Sequence, residues 1–127
     1  MLDSKAIDLL RGANYAALTT LMPDGHPQTQ IVWVDTDGEH VLVNTERHRQ
    51  KARNVQRDPR VTVLVWDRND MWKRAEIRGE VVEIVGGPEG REMIDRLSNK
   101  YLGHDYRNPI QTERVTLKIA PRRVLVS

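Results

Sequence analysis

The sequence contains no cysteine and no phenylalanine, and only 5% of its residues are aromatic. Without cysteine, disulfide bonds and thiolate-bound metal sites are excluded. No apolar run approaches the ~18 residues that a membrane-spanning helix needs. The segment from Met1 to Lys5 lacks the apolar core of a secretory signal, so a cytoplasmic protein is expected.

The sequence also has little net charge, only +2, although 30% of its residues are charged. A general nucleic-acid binder is usually more one-sided, and few aromatic rings are available for base stacking, so a nucleic-acid-binding barrel is disfavoured. The local excess of positive charge is more informative. Six basic residues face only Asp58 within one short stretch: Arg47, Arg49, Lys51, Arg53, Arg57 and Arg60. This cluster indicates an anionic partner, although exposed helices often carry charge without any ligand.

The sequence offers no self-sufficient catalytic group. None of the four histidines has a metal-ligand spacing with a carboxylate partner: His26, His40, His48 and His104. There is no nucleophile elbow, no P-loop and no dinucleotide-binding glycine motif. If the protein is an enzyme, a cofactor is therefore expected to carry the reaction.

Hydrophobic alternation predicts a single domain over residues 1–127 that is mainly β with short helices. The predicted strands cover 15–21, 29–34, 40–43, 61–66, 72–85, 115–119 and 124–126, the last two separated by Pro121. Asp37-Gly38 is typical of a tight hairpin, and Gly79 predicts a bend in the long strand. Strands joined by hairpins favour an antiparallel β-barrel over βαβ units, because closure removes exposed sheet edges.

Three helices are predicted, over residues 4–11, 46–57 and from the Gly86-Gly87-Pro88 segment to Leu102. Asp3 or Ser4 caps the first helix, Thr45 is a plausible N-cap for the second, and Pro88 lies near the start of the third. Four residues form the expected apolar stripe of the third helix: Met93, Ile94, Leu97 and Leu102. An irregular loop is expected over 103–111.

The first candidate site is the stretch 44–54, where a strand is followed by a helix. The unpaired backbone N–H groups and the dipole of a helix N-terminus attract phosphate. Arg49 can donate two parallel hydrogen bonds to phosphate oxygens, and Lys51 adds a point charge. The alternative is a solvated basic helix that caps the barrel without binding any ligand.

Two further candidates lie on strands. Gln28, Thr29 and Gln30 are polar residues that lead into an otherwise apolar strand, where they could hydrogen-bond a heterocycle or simply begin a half-exposed strand. Trp72 follows an Asn-Asp loop and could stack on a flat ring, or it could serve ordinary core or dimer packing.

The order of these segments resembles the pyridoxamine 5′-phosphate oxidase-like superfamily, and above all its coenzyme F420-dependent branch. The resemblance covers nearly the whole chain. It rests on a Pro-Asp-Gly turn, a Pro-Gln strand, an Asp-Gly hairpin, and the block Arg49-Gln50-Lys51-Ala52-Arg53-Asn54 followed by Arg57-Asp58-Pro59-Arg60-Val61. The basic block is the specific part of this pattern, whereas the turns alone would be weak.

The resemblance implies a split β-barrel homodimer with two cofactor sites at the dimer interface. By position, Asn44, Thr45, Arg49 and Lys51 would hold the cofactor phosphate. The five residues that would run beside the ring are Gln28, Thr29, Gln30, Ile31 and Val32, and Trp72 would reach in from the partner subunit.

Two departures from the family pattern modify this expectation. The chain stops at Ser127, without the Trp- and Arg-containing C-terminal extension with which pyridoxamine phosphate oxidases grip cofactor and substrate, which argues against vitamin B6 oxidation. Trp33 stands where several relatives carry a polar residue, so contacts to the ring would differ there.

The resemblance implies an F420H2-dependent reductase that passes hydride to an electron-poor double bond of a small organic substrate. An FMN- or haem-related oxidoreductase on the same barrel is an alternative, because the same clamp would bind FMN. A non-catalytic flavin or deazaflavin carrier is a second alternative, favoured by the lack of an evident acid–base residue. No metal ion and no membrane partner are expected.

Overall fold

A computed structural model describes all residues, 1–127, as one antiparallel sheet of seven strands with three helices. The strands are β1 (Tyr15–Leu21), β2 (Pro27–Val32), β3 (Asp35–Thr36), β4 (Val41–Glu46), β5 (Arg60–Asp67), β6 (Asp70–Val85) and β7 (Arg114–Val126). The helices are α1 (Ser4–Arg11), α2 (Gln50–Arg57) and α3 (Gly87–Leu102). The strand order is β2-β1-β5-β6-β7-β4-β3, and the sheet curls into a split barrel, which confirms the predicted fold class.

The barrel interior is a single apolar cluster of 17 buried residues. It forms because β1, β5 and β7 alternate inward and outward side chains, so Leu18, Val63 and Leu117 lie fully inside. Each such side chain stabilises the fold by roughly 1.5–3 kcal/mol. Helix α1 covers the core with Leu10, and the predicted cap is confirmed, since the Asp3 carboxylate accepts a hydrogen bond from the Ala6 N–H at 2.8 Å.

The long strands β6 and β7 pair through two changes of register. The predicted bend at Gly79 is confirmed, because the register shifts between Arg78 and Gly79 and a Cβ there would collide with the Ala120 carbonyl. The prediction that Pro121 separates two strands is wrong. Proline is tolerated within β7 because it lies at this irregular point of the ladder.

The region around the Asp-Gly hairpin differs from the prediction at its boundaries. Strand β2 begins two residues earlier than predicted and ends at Val32. The hairpin is confirmed, but Asp35 and Thr36 pair with β4 instead of forming the turn. The turn follows them because the Asp37 carboxylate accepts hydrogen bonds from the N–H groups of Glu39 and His40.

The predicted start of α2 is wrong. Residues 44–46 continue β4, where Thr45 pairs with Val115, so Thr45 is not an N-cap. The helix starts at Gln50 after the N-cap residue Arg49, which makes no side-chain capping bond. The sheet prevails over the local helix signal because three more residues of β4 gain ladder hydrogen bonds to β7.

Helix α3 lies on the outside of the barrel over β4 and β7. Its predicted stripe is confirmed for three residues, which pack with Leu42 in a second buried cluster: Met93, Ile94 and Leu97. Leu102 is 56% exposed, so the prediction was wrong for this residue. Gly90 permits close contact with the sheet, because a Cβ would collide with the Arg114 carbonyl and lie 2.9 Å from the Val85 carbonyl. None of the three helices is both long and apolar enough to span a membrane.

Candidate functional site

A pocket of about 270 Å³ opens where β2, β4, β7, α2 and α3 meet. Twelve residues line it: Ile31, Val32, Trp33, Asn44, Thr45, Arg49, Lys51, Ile94, Leu97, Tyr106, Asn108 and Arg114. Its volume is slightly below the roughly 300–1,000 Å³ typical of small-molecule sites. The pocket is therefore a small site with both apolar and polar lining residues.

The charge of this lining is entirely positive. Arg49, Lys51 and Arg114 line the pocket, and none of the other nine residues is acidic. The side chain of Arg49 is 52% exposed at the pocket mouth, whereas that of Arg114 is only 7% exposed. The Glu46 carboxylate does not line the pocket but lies 3.9 Å from both Arg49 and Arg114, so it offsets one of the three positive charges. The remaining surplus of positive charge attracts an anion.

Lys51 points into the pocket from the first turn of α2. Its ammonium donates a hydrogen bond to the Gln30 side-chain oxygen at 2.9 Å, which connects the helix to β2. Partial burial lowers the pKa of Lys51 from its usual 10.5, and the charges of Arg49 and Arg114 lower it further. A bound anion would offset the repulsion among these cations and so favour the charged form of Lys51.

Four polar residues lie between the sheet and α3 and form what we call the polar row: Asn44, Glu46, Arg114 and Thr116. They occupy two cross-strand pairs, Asn44 with Thr116 and Glu46 with Arg114. The Asn44 side-chain oxygen accepts a hydrogen bond from Arg114 Nε at 2.8 Å. These contacts fix the Arg114 guanidinium at the pocket wall, where burial lowers its pKa below the usual value of an arginine.

Glu46 holds the segment that follows α3. Its carboxylate is 2% exposed and accepts hydrogen bonds from the backbone N–H groups of Gln111 and Thr112, both at 2.7 Å. Burial alone would raise the pKa of Glu46, but these hydrogen bonds and the Arg114 charge outweigh it, so the pKa lies below 4.5. The residue stays ionised and anchors the loop 103–113 beside the pocket.

Two aromatic side chains, Trp33 and Tyr106, also line the pocket. Trp33 stacks on Tyr101 with 5.3 Å between ring centroids and meets Tyr106 edge-on at 6.4 Å. The Tyr101 hydroxyl accepts a hydrogen bond from the Val34 N–H and donates one to the Asn14 carbonyl. Trp33 is therefore held rigidly. Its indole lines the pocket at a position where several relatives carry a polar residue, which is the departure from the family pattern noted in the sequence.

The structure brings together six of the ten predicted site residues: Ile31, Val32, Asn44, Thr45, Arg49 and Lys51. Gln30 touches this group through Lys51. Gln28 and Thr29 do not line the pocket. The Gln28 side-chain oxygen is sealed from solvent without a hydrogen-bond partner, and the Thr29 hydroxyl bonds to that of Thr19.

Trp72 lies apart from the pocket within the same chain. It is 70% exposed at the start of β6 and shares a separate apolar depression with Leu64, Trp66, Met71 and Arg74. The Arg74 guanidinium lies 5.4 Å from the centre of its ring. The role of Trp72 at a site formed with a partner subunit stays a prediction.

A larger groove of about 470 Å³ on the barrel surface also contains arginines, but their charges are balanced. Arg60 pairs with Asp58 at 2.8 Å, Arg78 with Glu76 at 2.8 Å, and Arg122 with Glu80. This groove therefore offers no surplus positive charge to a ligand. The smaller pocket is the better candidate because its cations lack such close partners.

Sequence reasoning did not place Arg114 or Tyr106 in the site. Both lie more than forty residues from the basic block, and only the pairing of β4 with β7 brings Arg114 beside it. A weak signal was present, because a charged residue directly precedes the apolar alternation of β7. A charged residue at the start of an apolar strand indicates that its side chain has a buried partner, but the sequence does not show which residue that partner is.

The fold and the site agree with similarities to known proteins. The family model described as pyridoxamine 5′-phosphate oxidase matches residues 2–127. A solved F420 reductase aligns with 30% identity and a TM-score of 0.82, over 93% of this chain and 94% of that chain. A conserved hypothetical protein from Mycobacterium tuberculosis aligns with 27% identity and a TM-score of 0.77, over 98% and 82% of the two chains.

A pyridoxamine 5′-phosphate oxidase-related, FMN-binding protein from Nostoc punctiforme shares only 16% identity, with a TM-score of 0.64 over 88% of this chain and 72% of that chain. At this identity the likeness shows the fold alone. The family match, in contrast, spans nearly every residue, and the F420 reductase is similar in sequence as well as in shape. The chain therefore belongs to the pyridoxamine 5′-phosphate oxidase-like split-barrel superfamily, which includes an F420-dependent branch.

Proposed function

We propose that the pocket binds the phosphate of coenzyme F420 and that the protein is an F420H2-dependent reductase of a small organic substrate. The observation that carries the proposal is the set of three cations, Arg49, Lys51 and Arg114, in a cleft without any acidic lining residue. The 30% identity to an F420 reductase over nearly the whole chain supports the choice of F420.

The donor set fits a phosphate group. Arg49 offers a planar fork of N–H donors and Lys51 a compact ammonium, the two geometries that proteins use for phosphate oxygens. Thr45 borders the same pocket. Because Arg49 is half exposed, solvent screening makes its contribution smaller than that of a buried arginine.

In this proposal the ring lies along β2, beside the predicted residues 28–32, of which Ile31 and Val32 line the pocket, and the Trp33 and Tyr106 side chains exclude water from the pocket. The reduced deazaflavin, when bound, supplies a hydride to an electron-poor double bond. The protein contributes orientation and exclusion of water. The pocket lining contains no His, Asp or Glu, so we assign the proton that completes the reduction to solvent.

FMN is the second candidate cofactor, and one observation favours it as much as F420. The three cations recognise phosphate and not the ring, so they would hold the FMN phosphate equally well. The same lack of an acid–base residue would also suit a non-catalytic flavin or deazaflavin carrier.

We place the partner subunit of a homodimer on an exposed sheet surface that we call the outer apolar face: Tyr15, Ile31, Trp66, Met71 and Trp72. The exposed fractions of Ile31, Met71 and Trp72 are 68%, 62% and 70%. Such a patch on a soluble domain is typical of an interaction surface. Ile31 also lines the pocket, so a copy bound to this face would reach the pocket rim, where the partner's Trp72 would complete the shallow site.

Titration of the purified protein with F420 and with FMN, followed by fluorescence quenching, tests the proposal. We expect tighter binding of F420 than of FMN. The double variant Arg49→Ala/Lys51→Ala should weaken F420 binding by roughly 100-fold, since each charge-assisted hydrogen bond contributes about 1.5–3 kcal/mol before screening. Tight binding of FMN without affinity for F420 would contradict the choice of cofactor.

The matched control is Arg53→Ala/Arg96→Ala, which removes the same charge from exposed positions of α2 and α3 outside the pocket. If both double variants weaken binding equally, the effect comes from net charge and the pocket is not the site. Bleaching of F420H2 absorbance with a panel of enones and quinones then separates a reductase from a carrier, because a carrier binds the cofactor without substrate-dependent turnover.

A further inference from the structure

Arg114 has hydrogen-bonding capacity that the protein itself does not use. Its Nε donates to Asn44, whereas the two terminal nitrogens form no hydrogen bond within the chain. The side chain is only 7% exposed, yet these nitrogens are not sealed, because the residue lines the pocket. A buried guanidinium with free donors directed at a cleft is costly unless a ligand accepts from it.

The nearest carboxylate does not satisfy these donors. Glu46 Oε2 lies 3.9 Å from Arg114 Nη1, too far for a hydrogen bond, while the N–H groups of Gln111 and Thr112 hold the carboxylate by its other oxygen, Oε1. Glu46 therefore balances the charge of Arg114 without occupying its donors. The aromatic ring of Tyr106, 5.2 Å from the guanidinium, covers one face but accepts no conventional hydrogen bond.

Asn44 has the opposite character. Its amide nitrogen donates to the Gly90 carbonyl at 2.9 Å and to the Thr116 hydroxyl at 3.1 Å, which uses both N–H donors. Its oxygen accepts from Arg114. Asn44 thus has no donor left for an anion, although it borders the pocket.

We propose that Arg114 is the third phosphate-binding residue of this pocket, and that Asn44 is a positioning residue that acts through it. The inference rests on the proposed function, because it assigns another contact to the same bound phosphate. Asn44 holds the guanidinium by its Nε, which leaves Nη1 and Nη2 directed at the phosphate oxygens. Asn44, which the sequence predicted to contact the phosphate directly, then acts indirectly by holding Arg114 in place.

Paired ligands that differ only in the phosphate test this assignment. Wild-type protein is titrated with FMN and riboflavin, and with the deazariboflavin core of F420 with and without a 5′-phosphate. The ratio of the two dissociation constants measures the phosphate contribution alone. Arg114→Gln should reduce this ratio by roughly 10- to 100-fold, whereas the affinity for the phosphate-free ligands should change less than about threefold.

The Arg114→Lys variant keeps the charge beneath α3 and controls for folding. It should retain part of the ratio, because an ammonium replaces the fork by a single point charge. Asn44→Ala should reduce the ratio in the wild-type background but have no further effect in the Arg114→Gln background, since it acts through Arg114. An additive effect of the two changes would overturn the positioning role of Asn44.

A measurement on the unmodified protein makes the test independent of variant stability. The ¹⁵N NMR signals of the Arg114 guanidinium should shift when FMN or F420 is added and stay in place with riboflavin. If wild-type protein shows no preference for phosphorylated ligands, the proposed function fails. If it shows that preference while the Arg114 signals and the Arg114→Gln ratio are unchanged, only the assignment of Arg114 is overturned.

Discussion

The substitution Gly90→Ala tests whether α3 is pressed against β7 as closely as the pocket requires. In an open helix this change would stabilise the protein by roughly 1 kcal/mol, because alanine is the better helix former. Here the added Cβ would collide with the Arg114 carbonyl and lie 2.9 Å from the Val85 carbonyl. Both neighbours are backbone atoms, so the collision is relieved only by moving the helix.

Moving the helix has a second cost, because the Gly90 carbonyl accepts the Asn44 side-chain hydrogen bond at 2.9 Å. Overpacking costs about 1–3 kcal/mol, and an unsatisfied buried donor costs about 1–3 kcal/mol. After the helix-propensity gain is subtracted, we expect a net loss of roughly 1–5 kcal/mol. For a domain of this length, that loss corresponds to a Tm lower by roughly 4–20 °C.

Thermal unfolding followed by circular dichroism gives the result directly. The control is Arg96→Ala, an exposed position on the same helix, which should change stability by less than about 0.5 kcal/mol. A Tm of Gly90→Ala equal to or above that of the wild type would refute the close contact. The claim that α3 holds Asn44 and Arg114 in position would then be wrong.

Three further predictions follow from the site. The affinity for F420 or FMN should be highest at neutral pH and should fall as the pH rises through the lowered pKa of Lys51, because phosphate binds only the ammonium form. Calorimetric titrations between pH 7 and 10.5 measure this affinity, and an affinity that does not decline over this range would contradict the prediction. The amides of Gln111 and Thr112 should lose exchange protection as the pH falls below 4.5 through the lowered pKa of Glu46, because this stabilisation is lost when the carboxylate is protonated. Protection that is unchanged, after correction for intrinsic rates, at a pH where NMR shows the Glu46 carboxyl to be protonated would disprove the anchor. Trp72→Glu should shift the sedimentation coefficient from a dimer to a monomer at micromolar concentration, whereas an unchanged coefficient would remove the outer apolar face from the interface.

The sequence was sufficient for the barrel because its signals are local and repeated. Alternation in 15–21 and the Asp37-Gly38 pair each specify one strand or turn, and the structure contains both. The cap at Asp3 likewise depends on a contact only three residues long. Such features form in any fold that uses these segments, so no knowledge of distant partners is needed.

The start of α2 could not be predicted because a distant strand decides it. Residues 44–46 have a plausible helix start, with a threonine followed by a glutamate. The competing interaction is the ladder with β7, whose partner residues lie about seventy positions later in the chain. Glu46 also finds its hydrogen-bond donors in the loop before β7 instead of at a helix terminus.

The candidate site was predictable in part for the same reason. Arg49 and Lys51 lie on one short segment with a readable excess of charge, so spacing alone pointed to an anion. Arg114 joins them only through strand pairing, and Trp33 lines the pocket while stacked on Tyr101 of α3, which lies 68 positions later in the chain. These residues carry long-range contacts that the order of amino acids does not display.

The most direct test of the central claim is a crystal structure of the protein with F420 bound. We predict phosphate density between the Arg49 guanidinium and the Lys51 ammonium, with oxygen–nitrogen distances of about 2.7–3.0 Å. Phosphate density in the groove of Arg60, Arg78 and Arg122, with this pocket holding only solvent, would contradict the account.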